Sequence, residues 1–323
     1  MIIDILMFTV GLILLYAGAE FLVRGSSQLA VMARINPLIV GVTVVAFGTS
    51  SPEFLVSFVA AWSGRIDVAV GNIVGSNIAN IGLILGISAL LIPIKTEDTK
   101  ITKELFWMLG VSVLFWIFSI NGILSQIEGF ILFAGIIIFT FFLIKQTIKE
   151  RNQNSGLKES KADLSILKKY SKKIRILVYI VMIIAGVAIL VFGSELTINA
   201  ATNIARALGV SEVIIGLSLV AFGTSLPELA TAIISIIKKE KAILIGNIIG
   251  SNIFNILFVG GGVASVYAIP IQSRVSDIDI PIMLILSFVL VPFIFKFKKL
   301  SRISGLALMM FYVLYICFIY LNP

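Results

Sequence analysis

The chain has 323 residues, 59% hydrophobic and only 13% charged; a soluble domain carries about 25% charged residues, so this is an integral membrane protein. It has no histidine and a single cysteine, Cys317, which excludes Ser-His-Asp hydrolysis, His-Cys zinc sites, imidazole switching and an intrachain disulfide framework. The net charge of +8 does not mark a nucleic-acid partner, because it is concentrated in one basic loop: Lys145 to Arg175 hold ten Lys/Arg against Glu150, Glu159 and Asp163.

Crossing a bilayer takes roughly 20 apolar residues. Ten stretches qualify in chain order: 5–32, 37–62, 69–92, 105–120, 130–148, 174–205, 212–237, 242–268, 280–296 and 304–321. Polar punctuation separates them at Ser63–Arg65, Lys95–Lys103, 149–173, Lys238–Lys241 and Lys296–Arg302. The first stretch is kept as a span rather than a cleaved leader, because Met1-Ile2-Ile3-Asp4 lacks a basic start. Four acidic residues fall well inside the spans: Glu20, Glu53, Glu195 and Glu228.

Positive-inside counting gives the orientation. With the amino terminus outside, 21 of the 25 basic residues fall on the inner face, and only Arg65, Arg206 and Arg274 fall outside. Both termini are therefore expected to be extracellular and the 149–173 loop cytoplasmic, in a multi-pass protein of the cell membrane.

Two segments recur at one offset. Residues 41–53 (GVTVVAFGTSSPE) match 216–228 (GLSLVAFGTSLPE), and 71–80 (GNIVGSNIAN) match 246–255 (GNIIGSNIFN), both displaced by 175 residues. Gly18 and Glu20 stand opposite Gly193 and Glu195 at the same displacement. Each copy holds five spans, and an odd-span unit used twice in one chain must cross the membrane in opposite senses. The expected fold is all-α: ten transmembrane helices in two inverted-topology five-helix repeats, 1–148 and 174–323, joined by a basic linker at 149–173. Secondary transporters use this plan and hold their substrate near the midplane.

Glu53 and Glu228 sit inside their spans, where an ionised acid costs roughly 2.5–3.5 kcal/mol unless compensated. A bound cation at both would compensate them. Pro52 and Pro227 each remove an N–H and clash with the carbonyl four residues back, at Gly48 and Gly223. Helices 2 and 7 should therefore break around Gly-Thr-Ser and release backbone carbonyls, which membranes tolerate only where they line a cavity or are buried in protein. Carbonyls, hydroxyls and carboxylates are hard oxygen donors of the kind that Ca²⁺ and Na⁺ prefer. Ser76 and Asn80 share a helix face, as do Ser251 and Asn255. Gly71 and Gly75, like Gly246 and Gly250, offer small surfaces for close helix approach. Asn72 and Asn247 are suited to capping or bridging helices, and Glu20 and Glu195 to an interfacial or structural role.

The paired Gly-Thr-Ser-x-Pro-Glu and Gly-Asn-Ile-x-Gly-Ser-Asn-Ile-x-Asn segments resemble the two alpha repeats of sodium/calcium exchangers, in the cation/calcium exchanger superfamily. The resemblance implies that Glu53 and Glu228 are central carboxylates shared by Ca²⁺ and Na⁺. It implies that Thr49, Thr224, Ala46 and Ala221 contribute mainly backbone carbonyls. Ser50, Ser225, Ser76 and Ser251 would serve sodium sites, and Asn80 the middle of the cluster. Asn255 departs from the pattern: some archaeal and potassium-dependent members carry Asp there. The site would then hold two formal negative charges, which speaks against potassium dependence.

These readings give a sodium/calcium antiporter working by alternating access, with the long first and sixth spans sliding over a static bundle, as the resemblance suggests. Ca²⁺ and Na⁺ would be cargo, with no cofactor, no enzymatic reaction and no nucleic acid; the bilayer is the remaining partner, and a monomer is expected. The alternatives are a calcium/proton antiporter of the same superfamily, an intramembrane protease using paired acids, and a passive cation channel.

Overall fold

A computed structural model describes residues 1–96, 101–153, 170–209 and 221–321. Most of the linker and Gly216–Val220 of the second motif lie outside the described residues. The helices are α1 (Ile2–Ala33), α2 (Pro37–Val40), α3 (Ala46–Thr49), α4 (Ser51–Trp62), α5 (Ile66–Ala79), α6 (Gly86–Leu91), α7 (Thr102–Ser119) and α8 (Gln126–Gln153). After the linker come α9 (Lys172–Ala207), α10 (Ala221–Thr224), α11 (Leu226–Ile237), α12 (Lys241–Phe254), α13 (Gly261–Val266), α14 (Ile280–Phe295) and α15 (Arg302–Leu321). Short π-helical stretches, Gly41–Val45, Asn80–Leu85, Asn255–Gly260 and Val275–Asp279, join helices into longer spans.

Among the described residues nine spans are long and apolar enough to cross a bilayer, and α11 is a shorter apolar helix. The protein is an all-helical membrane protein of two inverted repeats. At 1.5 Å per residue, the 32 residues of α1 and the 36 of α9 run about 48 and 54 Å, well beyond a roughly 30 Å hydrocarbon core.

The chain forms two compact units: Met1–Thr49 with Thr140–Asn247, and Ser50–Phe139 with Ile248–Pro323. Each draws segments from both sequence repeats.

In the first unit α1 lies along α9. Gly11, Gly18 and Gly25 recur every seven residues on α1, and Gly186 and Gly193 answer them on α9. A Cβ at Gly186 would stand 2.6 Å from the Leu22 nitrogen, and one at Gly18 would stand 2.9 Å from the Gly186 carbonyl oxygen. Backbone meets backbone, as small residues permit inside membranes. Leu15, Ala19, Leu22 and Val23 of α1 share a core with Ile183 and Leu190 of α9 and Ile234 of α11.

In the second unit, Ile94–Lys95 pairs antiparallel with Lys299–Leu300, and Ile123–Leu124 with Ile269–Pro270. The first partners of the two ladders are separated by α7, so the ladders sit at opposite ends of a span. Residues 94–95 and 269–270 are repeat counterparts at the 175-residue offset, yet each belongs to a different ladder. That exchange is inverted topology in geometric form.

Helix ends follow the same symmetry. Arg34 and Gly209 are counterparts, as are Gly64 and Lys239, and all four adopt positive φ, between 57° and 81°. Left-handed caps suit glycine. The end rich in lysine uses Arg34 and Lys239 instead, where a cation can meet the last carbonyls of a helix.

The count of acidic residues within spans needs correction. Glu104 opens α7 and Asp279 closes the π-helical turn before α14; both are buried and they are counterparts at the same offset. The apolar runs began at 105 and 280, so hydropathy placed both acids just outside. Asp279 accepts a 2.9 Å hydrogen bond from the Tyr315 hydroxyl.

Candidate functional site

Each unit holds one duplicated glutamate. In the second unit Glu53 lies in the first turn of α4, 1% exposed. The helix breaks one residue earlier than Ser51: Ser50 has φ −86° and ψ 2°, between the end of α3 and the start of α4. Pro52 sits in the first turn, where no intrahelical N–H is needed. An acid there also meets the positive end of the helix dipole. The second repeat reproduces this closely in the first unit: Ser225 has φ −88° and ψ 5°, and Glu228, also 1% exposed, occupies the first turn of α11.

Around Glu53, Asn72 of α5 is a bridge. Its amide nitrogen donates to the Glu53 carbonyl oxygen at 3.1 Å and to the Ser57 hydroxyl at 2.9 Å. Ser76 and Asn80 follow along α5, both buried. The stretch beginning at Asn255 packs on both α4 and α5, and Ser251 lies one turn before it. Asn80 and Asn255 are the first residues of matching π-helical stretches, which redirect a helix locally at frequent functional positions. Both are at most 1% exposed, and neither end of either amide has a hydrogen-bond partner among the described residues. An unpartnered buried amide oxygen is available to a cation.

Around Glu228 the arrangement differs. The segment Ala46–Thr49 packs against α11, and the Thr49 hydroxyl donates to Asn247 Oδ1 at 3.2 Å. Asn247 therefore also bridges helices. Thr224 and Ser225 are buried beside the break, and Ala221 opens the short helix before it. The Gly223 carbonyl, expected to be released by Pro227, accepts from the Ser194 hydroxyl of α9 at 2.8 Å. That carbonyl is engaged by the protein. The first-repeat counterpart of Ser194 is Ala19, which has no hydroxyl to offer Gly48.

The glycine expectation holds in part. A Cβ at Gly246 would come 3.0 Å from the Val42 nitrogen, so this glycine admits the neighbouring backbone. At Gly71 and Gly75 a Cβ would meet nothing within 4 Å among the described residues. Glu20 is an ion-pairing residue: its Oε1 lies 2.5 Å from Arg24 Nε and 2.7 Å from Lys238 Nζ. Its counterpart Glu195 is exposed.

Sequence reasoning did not single out Ser57, Ser194, Asn77 or Asn252. The last two were legible as duplicated buried amides within the second motif, and both are buried. Ser57 and Ser194 have no polar repeat counterpart, so only tertiary contact reveals them.

An all-helical membrane fold of two inverted repeats, with a buried glutamate just after the helix break of each, is the plan of a transporter and not of an enzyme. The family model described as sodium/calcium exchanger protein matches residues 3–145 and 178–321. The sodium/calcium exchanger MaX1 of Methanosarcina acetivorans is 29% identical over 341 residues, covering 97% of each chain. The inner membrane protein YrbG of Escherichia coli is 36% identical over 282 residues, covering 87% of this chain and 85% of its own. Among solved structures, the sodium-calcium exchanger NCX_Mj soaked with 2.5 mM Na⁺ and 1 mM Sr²⁺ superposes with TM-score 0.83 at 30% identity, covering 98% of both chains. The chain belongs to the sodium/calcium exchanger family.

Proposed function

We propose that the protein is an antiporter that exchanges Na⁺ for Ca²⁺ across the cell membrane by alternating access, with Glu53 and Glu228 as the carboxylates for which the two ions compete. The duplicated buried glutamate, each just after a helix break, is the observation that carries this reading. Thr49, Ser50, Ser76 and Asn80, their counterparts Thr224, Ser225, Ser251 and Asn255, and the carbonyls of Ala46 and Ala221 complete the proposed oxygen set. Hydroxyl, amide, carbonyl and carboxylate oxygens match the preferences of Ca²⁺ and Na⁺. Two carboxylates balance one Ca²⁺ or two Na⁺; a third Na⁺ would make exchange electrogenic. The relatives named as sodium/calcium exchangers support the choice of ions.

The orientation proposed has both termini outside and the 149–173 loop in the cytoplasm. Support comes from the 21 inner basic residues and from the Arg34 and Lys239 helix caps at that face.

The test is ⁴⁵Ca²⁺ uptake into proteoliposomes loaded with Na⁺, with a protonophore present. Uptake should require the sodium gradient and disappear in Glu53→Gln and in Glu228→Gln. Uptake that follows a pH gradient and ignores sodium would identify a calcium/proton antiporter instead. Retained flux in either variant would defeat the assignment of that glutamate.

A further inference from the structure

Helical hydroxyls in this protein normally satisfy themselves by donating to the carbonyl four residues back. Thr43, Ser112, Ser119, Thr147, Thr197 and Ser287 all do so, at 2.7–2.8 Å. Among the described residues three fully buried hydroxyls do not: Ser26 of α1 and Thr231 and Ser235 of α11 have no hydrogen-bond partner there. In a membrane interior such groups carry a desolvation cost without return.

Their placement is ordered. Thr231 and Ser235 follow Glu228 by three and seven residues, so the three share one face of α11. That face runs from the glutamate toward the helix end at Ile237. Ser26 follows Leu22 and Val23 by four and three residues, on the side of α1 that shares a core with Ile234 of α11. The next residue, Ser27, donates to Glu240 Oε1 at 2.6 Å, which sets this level of α1 beside the turn after α11. The line thus ends at an acid, while nearby Lys238 is held by Glu20 at 2.7 Å.

The internal repeat serves as a control. At the 175-residue offset the counterparts of Thr231, Ser235 and Ser26 are Val56, Ala60 and Ala201, and that of Glu240 is Arg65. The same positions in the same fold are thus filled by apolar side chains on the opposite side. Packing does not demand the hydroxyls.

We infer that Thr231, Ser235 and Ser26 are ion-handling oxygens on the route between Glu228 and the lysine-rich, cytoplasmic face. They replace water around a passing hard cation, Na⁺ or Ca²⁺, when that side opens. The inference rests on the transport reading only in requiring that a cation pass.

Cysteine accessibility tests it. In a Cys317→Ser background, Thr231→Cys and Ser235→Cys are reconstituted and treated with a membrane-impermeant thiosulfonate from either side. Both should react from the cytoplasmic side alone, and Ca²⁺ should slow the reaction. In parallel, Thr231→Val should raise the Ca²⁺ concentration needed on the cytoplasmic side several-fold and leave the outer-side requirement unchanged. Thr231→Ser, which keeps the hydroxyl, should restore it. Labelling from the outer side only, or none with or without either ion in variants that still transport, would overturn the inference. So would equal effects of Thr231→Val on both sides. Side-specific labelling without sodium-driven flux would instead defeat the sodium/calcium reading and leave the route standing.

Discussion

The Asn72 bridge offers a quantitative test of how the site around Glu53 is held. Asn72 gives two hydrogen bonds from one amide nitrogen, to the Glu53 carbonyl at 3.1 Å and to Ser57 Oγ at 2.9 Å. Side-chain hydrogen bonds between membrane helices average about 0.6 kcal/mol and reach about 1.7. A buried acceptor stripped of its donor costs roughly 1–3 kcal/mol. Asn72→Ala removes both bonds and leaves the Glu53 carbonyl without this donor, so it should destabilise by about 2–4 kcal/mol. Ser57→Ala loses one bond and should cost about 1 kcal/mol. The double variant should then show a coupling of about 0.6–1.7 kcal/mol, the worth of the shared bond. Asn72→Asp has nearly the same shape but replaces the donor with an acceptor facing the Glu53 carbonyl. It should be no better than alanine. The assay is equilibrium unfolding in mixed micelles, run on all four variants. A coupling indistinguishable from zero, or an Asn72→Asp protein as stable as the parent, would refute the bridge.

The seam between α1 and α9 gives a second prediction. Gly186→Ala drives a methyl to 2.6 Å from the Leu22 nitrogen and should cost about 1–3 kcal/mol as overpacking against backbone. Gly110→Ala, where a Cβ meets nothing within 4 Å among the described residues, should be neutral or stabilising by up to about 1 kcal/mol; the same unfolding assay reads both. Third, Glu20→Gln leaves Arg24 and Lys238 without their shared carboxylate and should lower stability. Glu20→Gln with Lys238→Met should recover part of the loss, whereas additive losses would show that the pair is not coupled. Fourth, Asn255→Asp adds a third carboxylate and should lower the KM for Ca²⁺ in ⁴⁵Ca²⁺ uptake; an unchanged KM would place Asn255 away from the ions.

Much of the architecture was legible before any coordinates, because a bilayer leaves few options. Apolar runs of sufficient length must be helices, and the constant 175-residue offset with five spans per copy forces inversion. Pro52 and Pro227 located the breaks to within a residue or two, since proline cannot continue a helical hydrogen-bond ladder. The boundaries of α7 and α14 were less legible. Glu104 and Asp279 end the apolar runs in sequence yet are buried in the fold, because neighbouring helices shield them.

Side-chain partnership could not be read from the chain. Asn72 and Asn247 occupy equivalent places in a repeated motif, yet one donates to a backbone carbonyl and a serine while the other accepts from Thr49. The difference arises because their neighbours Ser57 and Ala232 differ, and because the helices around each belong to different compact units. The fate of the Gly223 carbonyl likewise depended on Ser194, 29 residues away.

By itself, the sequence determined that this is a twofold-repeated, multi-span membrane protein with a glutamate after a proline at the same place in each copy. Those features follow from hydropathy, proline chemistry and the arithmetic of the repeat, which are local or periodic properties. Only the tertiary structure decided which buried oxygens find hydrogen-bond partners and which, among the described residues, find none. Hydrogen-bond satisfaction in a water-free interior depends on atoms brought within about 3 Å across helices, and no spacing along the chain encodes that distance.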